Sequence, residues 1–296
     1  MPPKGKDITQ ESGPLNLLRP LLLLSYSAYY IIPTILDLLL HFQIPALLSF
    51  SKFKDHWFSN FWAFFGPRSR EYAAPAVLPL LENSATGVCL DVGPGNGQWL
   101  DIYSRANNPS ITKIYGVEPN HGMHKALRES AVRAGLGDVY EIVGCGAQEL
   151  SAKAGFQSGS IDTIITVQSL CSIPTPETII EELYPLLKPG GKWLMYEHVK
   201  TKYRGDFVAY WQRMSDWKSY PAAHLMLTVM AGIVNIIWPH FFGGCDICRP
   251  TDEWVRQAGE WDKVELKSGT DLGENCYDTI PHVIGTLTKK KLKKLN

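Results

Sequence analysis

Between Gly87 and Val199 the chain alternates short apolar runs with segments of helical period. The runs "GVCLDV", "KIYGVE", "VYEIVG", "IDTIITV" and "KWLMYEHV" read as strands. "GQWLDIYSRA", "HGMHKALRESAVRAGL" and "PETIIEELYPLLK" between them read as helices. Parallel neighbours cannot be joined by a hairpin and need a crossover, so this alternation predicts an α/β, doubly wound sheet. The later pieces "DKVELKSG" and "HVIGTLTK" would complete seven strands. In "PETIIEELYPLLK", Thr175 suits the N-cap and Pro176 the first helical position, and Pro189-Gly190-Gly191 ends the element before the next strand.

The first strand runs into "GPGNGQWLDIY", a glycine turn that would set backbone N–H groups at the carboxyl edge of the sheet. The dinucleotide fingerprint G-x-G-x-x-G fails in both registers: its third glycine would fall on Gln98 or on Leu100. No Gly-Lys-Ser/Thr closes a nucleotide P-loop either. The pattern present is acid-x-Gly-x-Gly-x-Gly: Asp91, Gly93, Gly95 and Gly97. A second acid, Glu118, ends the next strand 27 residues after Asp91, where its carboxylate could accept bonds from both hydroxyls of a ribose.

These motifs resemble those of class I S-adenosylmethionine-dependent methyltransferases. The resemblance implies a Rossmann-like methyltransferase sheet and S-adenosyl-L-methionine as cofactor. The glycine backbone would pass against its methionine part, Asp91 would orient the loop, and Glu118 would hold the ribose. Asn120 and Met123 would lie near the adenine face, although by residue type they read equally well as a helix-capping turn and a core methionine. The third strand departs from the family pattern: Gly146 stands where many members carry an acid, just before Ala147, which leaves Gln148 to accept the adenine amino group. "SIDTIITVQSLCSIP" resembles the fourth motif, with Gln168 to Leu170 leaving the strand over the cofactor.

Outside the cofactor core, "FGPRSREY", "LCSIP", "GGCDICRPTDEW" and "PHVIGTL" resemble the membrane-anchored methyltransferase-like seven group, also described as thiol methyltransferases. This implies methyl transfer to a small lipophilic acceptor, with a thiol favoured. An N- or O-methyltransferase of a specialised-metabolite or lipid pathway is the alternative. A non-catalytic membrane-bound binding or scaffold protein is a rival of another class, disfavoured by the intact Asp91, Glu118 and glycines.

A sulfonium methyl is already electrophilic, so the protein has mainly to align a nucleophile and exclude water. A thiol, with a pKa of about 8.5, supplies thiolate without strong base assistance. If a base is used, His198 at the end of "YEHV" is the candidate, with a hydrogen-bonded structural histidine as the other reading; Glu197 faces the opposite way in a regular strand. Cys245 and Cys248 form a CxxC with His240 five residues ahead. No second pair completes a four-ligand structural site, so the sequence predicts no metal there, only buried small side chains or a loop lining the pocket.

Lysine plus arginine equal aspartate plus glutamate at 29 each, and no basic stripe is present, which disfavours nucleic acid as a partner. Six scattered cysteines suit a reducing compartment. Residues 1–51 read as an uncleaved membrane anchor or interfacial hairpin: the 32 residues between Arg19 and Lys52 hold one formal charge, Asp37, and are broken by Pro33. A greasy helix packed on the catalytic domain is the other reading of that stretch. Residues 52–86 read as an aromatic and basic connector, and 87–296 as the methyltransferase domain with an apolar insertion at about 219–242. Lys289, Lys290, Lys291, Lys293 and Lys294 read as a solvated tail whose "KKLN" resembles a dilysine retrieval signal. Membrane lipid is the expected partner of the N-terminal segment, and no protein partner is indicated. The expected location is the cytosolic face of the endoplasmic reticulum, with lipid droplets as a second site. Removing residues 1–51 is expected to leave the cofactor site intact.

Overall fold

The computed structural model describes residues 16, 18–150, 155–200, 237–274 and 278–291. Four helices lead in: α1 (Arg19–Tyr29), α2 (Ile31–Leu40), α3 (Ile44–Leu47) and α4 (Phe50–Leu81). They are followed by β1 (Gly87–Val92), β2 (Ile111–Val117), α5 (His121–Arg133), β3 (Tyr140–Val143), β4 (Ile161–Val167), α6 (Pro176–Leu186), β5 (Leu187–His198), α7 (Thr251–Gln257), β6 (Trp261–Ser268) and β7 (His282–Lys289).

The seven strands form one sheet in the order β3-β2-β1-β4-β5-β7-β6. All neighbours are parallel except β7, which runs antiparallel between β5 and β6. The winding reverses between β1 and β4, and the crevice beyond the carboxyl ends of those strands is where such sheets bind ligands. Buried apolar side chains cover both faces: Leu90, Ile164, Trp193 and Met195 belong to one core, Cys89, Ile114, Ile165 and Leu194 to the other. The near-continuous apolar runs of the sequence have this cause.

Three local predictions change. "GQWLDIYSRA" contracts to a 3₁₀ turn at Leu100–Tyr103. The carbonyls that would begin an α-helix are engaged elsewhere: Asn96 accepts from Ser130 Oγ at 2.9 Å, and Gln98 from Arg70, which also forks onto Asp101 at 2.6 and 2.7 Å. Thr175 is the N-cap residue of α6, but at φ +47° and without a side-chain cap bond. Pro189 to Gly191 lie inside the irregular first stretch of β5 rather than ahead of it.

The stretch read as a connector is mostly α4, a helix of 32 residues that contains Pro67, Pro75 and Pro79. An internal proline costs roughly 3 kcal/mol. Tertiary burial offsets this, because Trp57, Phe61, Ala73, Val77 and Leu81 are buried. The second half of α4 packs into the core of the sheet through Ala73, Val77 and Leu81. Residues 52–86 therefore belong to the body of the domain rather than bridging to it.

Arg19–Leu40 is long and apolar enough to cross a membrane. One face of α1 and α2 docks on the domain: Leu23, Leu24, Ser27, Thr34 and Leu38 are buried. Trp57 Nε1 donates to the Ser27 carbonyl at 2.8 Å, Ser27 Oγ to the Phe241 carbonyl at 2.7 Å, and Asn60 Nδ2 to Thr34 Oγ1 at 3.1 Å. Tyr29, Ile32, Leu36 and Leu40 of these helices are exposed, as are Phe42 and Leu48 beyond them. The segment is thus packed on one side and carries uncovered apolar surface elsewhere.

Of the predicted insertion only 237–242 is among the described residues; 237–241 is helical, and Trp238 stacks on Phe242 at 4.0 Å. The tail prediction is corrected at its start. Lys289 closes β7 and donates to the carbonyls of Leu187 and Tyr184 at 2.8 and 3.0 Å, and Lys290 pairs with Glu260 at 2.7 Å. Lys293, Lys294 and "KKLN" lie outside the described residues. Cys89, Cys171 and Cys245 are buried thiols outside any disulfide.

Candidate active site

A cavity of about 640 Å³ opens over the carboxyl ends of β1, β2, β4 and β5, within the range of small-molecule sites. Asp91, the three turn glycines, Glu118, Asn120, Met123, Ala147, Gln148, Gln168 and His198 all line it, so the tertiary structure brings every sequence-predicted site residue to one place.

The glycines are needed first for backbone shape. Gly93, Gly95 and Gly97 have φ of +71°, +59° and +80°. A Cβ at Gly93 would lie 2.6 Å from Ser169 Cβ, and one at Gly97 would lie 2.8 Å from Ser130 Cβ on α5. At Gly95 it would meet Trp62 Nε1 of α4 at 3.1 Å and Met123 Sδ at 3.6 Å. The nearest neighbours of all three are protein, so close packing of the turn, as well as any ligand, excludes side chains there.

Glu118 is buried, and its two oxygens accept from the amides of Gly95 at 2.9 Å and Asn120 at 2.8 Å. Burial pushes its pKa up to about 7 against those bonds. Burial likewise pushes Asp91 up to about 7, with Tyr140 Oη donating to it at 3.3 Å and the Glu118 charge adding to the rise. Among the described residues neither forms an ion pair. Two buried carboxyl groups that face one cavity and form no ion pair among the described residues are what a ligand with hydroxyl donors and an ammonium group would satisfy, and S-adenosylmethionine carries both. The residues present therefore fit that cofactor. Gly146 fits it too: a Cβ there would run into the Gln148 amide, so Gln148 occupies the space an acid at 146 would take.

Asn120 divides its duties differently from the adenine-contact prediction. Its side-chain oxygen caps α5 through the Gly122 amide at 2.9 Å, and its Nδ2 reaches the Asp55 carbonyl and Ser59 Oγ on α4 at 3.0 and 3.1 Å. Met123 is buried behind the turn. Gln168, at φ +54°, accepts from Ser69 Oγ at 3.0 Å, and its Nε2 lies 3.4 Å from His198 Nε2. His198 also has Nδ1 3.5 Å from Cys245 Sγ, so both ring nitrogens face protein groups. That arrangement favours the structural reading of His198 over the base.

Sequence reasoning missed Glu197. It is fully buried and accepts from the Ser169 amide at 3.1 Å, Ser169 Oγ at 3.3 Å and the Leu170 amide at 3.2 Å, holding the loop after β4 from beneath. Its signal was the alternation that turned it away from the face of His198. Also missed as cavity walls were Leu22 and Leu23 of α1 and Phe58, Trp62 and Phe65 of α4; Trp238 and Phe242, which line the cavity with them, belong to the apolar insertion. No local pattern links those segments.

Glu118→Ala should weaken S-adenosylhomocysteine binding by roughly 1–3 kcal/mol in calorimetry while the chain stays folded; unchanged affinity would remove the ribose assignment. Glu197, too, is pushed up to about 7 by burial, from 4.5. Between those values the folded state keeps a proton that the unfolded chain releases. Its contribution to stability is then fully present below about 4.5 and lost as pH rises through about 7, at roughly 1.4 kcal/mol for each pH unit crossed between the two values. The ligand-free protein should show this as a falling component of Tm between pH 5 and 7.5 that Glu197→Gln removes. Equal pH slopes in the two proteins would refute it.

A mostly parallel sheet with this switch-point cavity, glycine turn and pair of strand-end acids is the arrangement expected of a class I S-adenosylmethionine-dependent methyltransferase. Residues 90–195 match the family model described as "Methyltransferase domain". Among curated relatives, thiol S-methyltransferase TMT1B of Rattus norvegicus is 24% identical over 60% of this chain and 61% of its own length. Thiol S-methyltransferase TMT1A of Homo sapiens is 25% identical over 72% of this chain and 69% of its own. An O-methyltransferase family protein from Burkholderia thailandensis superposes with a TM-score of 0.50 at 14% identity, covering 88% of this chain and 72% of that one, which speaks to fold alone. The chain is therefore similar to a methyltransferase domain over residues 90–195 and, at low identity, to the thiol S-methyltransferases; its match spans about three fifths of the rat relative.

Proposed function

We propose that this chain is a membrane-associated S-adenosylmethionine-dependent methyltransferase that methylates a small lipophilic acceptor, a thiol in first place. The observation that carries the reading is the mixed lining of the cavity. It joins the glycine turn, Glu118 and Asp91 to the apolar side chains Leu22, Leu23, Phe58, Trp62, Trp238 and Phe242. The polar groups suit a nucleoside and an amino acid group, and the apolar side chains suit an acceptor that partitions into lipid. The names of the rat and human relatives support sulfur as the atom methylated.

When bound, the cofactor supplies an electrophilic sulfonium methyl. The residues of this chain have to bind, orient and exclude water. Glu118 and the Gly95 amide fix the floor, Glu197 fixes the Ser169–Leu170 loop, and Trp62 with the α1 side chains keeps solvent from the transfer line. No step needs His198 as a base, since a thiol ionises appreciably near neutral pH.

The exposed apolar face of α1–α3 supports an interfacial seat on the membrane, with α1 forming part of the cavity wall and so bringing acceptor entry to the lipid surface. The cytosolic face of the endoplasmic reticulum, with lipid droplets as a second site, is our reading of location. Full-length protein, labelled cofactor and a panel of lipophilic thiols, amines and phenols test the activity. Transfer to thiols is expected; transfer to amines or phenols with none to thiols would establish the N- or O-methyltransferase reading instead. Failure to bind S-adenosylhomocysteine would favour a scaffold.

A further inference from the structure

Three ligand groups that the sequence scatters over 74 positions converge on the wall of the cavity. Cys171 comes from the loop after β4, His198 from the end of β5, and Cys245 from the turn that follows the 237–241 helix. One donor atom from each lies within 4.8 Å of the other two, and His198 Nδ1 is 3.5 Å from Cys245 Sγ. Tetrahedral zinc, with Zn–S of about 2.3 Å and Zn–N of about 2.0–2.1 Å, holds such donors roughly 3.5–3.8 Å apart. Adjustments on the order of an ångström would close this set on an ion.

The backbone around the set is tied together. The Asp246 amide donates to the Cys171 carbonyl at 2.8 Å, and Arg249 Nη1 donates to the carbonyls of Leu170 and Ile173 at 2.7 and 2.8 Å. Both thiols are buried. A ligating histidine also needs an acceptor for its second nitrogen, and Gln168 lies beside His198 Nε2. Turned end for end, its amide offers Oε1 to Nε2–H and leaves its NH₂ for Ser69 Oγ, which can accept as well as donate.

We propose that Cys171, His198 and Cys245 form a site for a soft divalent cation, zinc in first place, whose fourth position faces the cavity and takes a thiol acceptor as its thiolate. Two cysteines and one histidine with an open position are a ligand set of catalytic rather than closed structural zinc sites. Loading the site breaks two S–H bonds, releases both protons to solvent and leaves two thiolates balancing the dication. Acceptor binding breaks one more S–H bond, forms a metal–sulfur bond and sends that proton to solvent. The metal site stands on geometry alone; only its use by an acceptor rests on the proposed thiol methylation. The sequence predicted no metal at the Cys245–Cys248 pair, and the residues that gather with Cys245 are Cys171 and His198.

The test uses the full chain in detergent micelles, metal-free and reduced, titrated with cobalt(II) and then zinc(II). One equivalent of cobalt should give thiolate-to-metal charge-transfer absorption that zinc abolishes. Cys171→Ser and Cys245→Ser should each weaken zinc binding by about tenfold or more, and Cys248→Ser should leave it unchanged. S-adenosylhomocysteine affinity within twofold of wild type certifies that each variant is folded. Absence of the band, or a band unaffected by the first two substitutions, overturns the site. Normal metal binding with no methylation of any thiol leaves the site standing and fails the thiol reading. Full thiol methylation by chelated protein overturns the acceptor role.

Discussion

Gly95→Val is expected to abolish detectable S-adenosylhomocysteine binding in calorimetry, a loss of more than a hundredfold. The residue sits at φ +59°, where a β-branched side chain is strained by roughly 1–3 kcal/mol. Its Cβ would already be 3.1 Å from Trp62 Nε1, and the two methyl groups beyond would push Trp62 off the cavity wall or lift the turn. Lifting the turn breaks the bond from the Gly95 amide to Glu118 at 2.9 Å and leaves a buried carboxyl group with one donor fewer. Gly95→Ala separates the causes, because it carries the backbone strain with little of the collision, and should bind with an intermediate loss. A valine variant that binds within tenfold of wild type would mean that the turn does not meet the ligand.

Removal of residues 1–51 should cost the protein its acceptor chemistry: we expect methylation to fall by more than tenfold and the truncated chain to self-associate on gel filtration. The sequence alone led to a milder expectation, a released domain with its site intact. The structure changes it because the cut falls inside α4, just after Ser51, and removes Arg19, Leu22 and Leu23 from the cavity wall. It also takes the acceptors of Trp57 Nε1 and Asn60 Nδ2 and uncovers Phe61. Losing the burial of Leu23 and Leu24 alone costs about 1.5–3 kcal/mol each. The cofactor floor lies on β1, β2 and their turns, so S-adenosylhomocysteine affinity should fall far less than activity. A monodisperse, fully active truncation would show that α1–α3 is an anchor and nothing more.

What the sequence determined by itself was whatever short-range chemistry specifies. The strands were legible because parallel strands buried on both faces must be apolar runs between crossovers, and Asp91, the glycine turn and Glu118 were legible because they sit at strand ends at fixed spacing. Those features are written within a few residues of one another. The tertiary structure alone decided the rest. It kept α4 helical through three prolines by burying Trp57, Phe61, Ala73, Val77 and Leu81, and it shortened the helix after the glycine turn by diverting the Asn96 and Gln98 carbonyls to Ser130 and Arg70. It put Glu197 beneath the loop after β4 and laid α1 along the cavity. It also gathered Cys171, His198 and Cys245 within 4.8 Å. Each of these depends on contacts between segments far apart in the chain, whose free energy comes from burial and from hydrogen bonds that exist only once the sheet has set the distances, and no local pattern encodes such a distance.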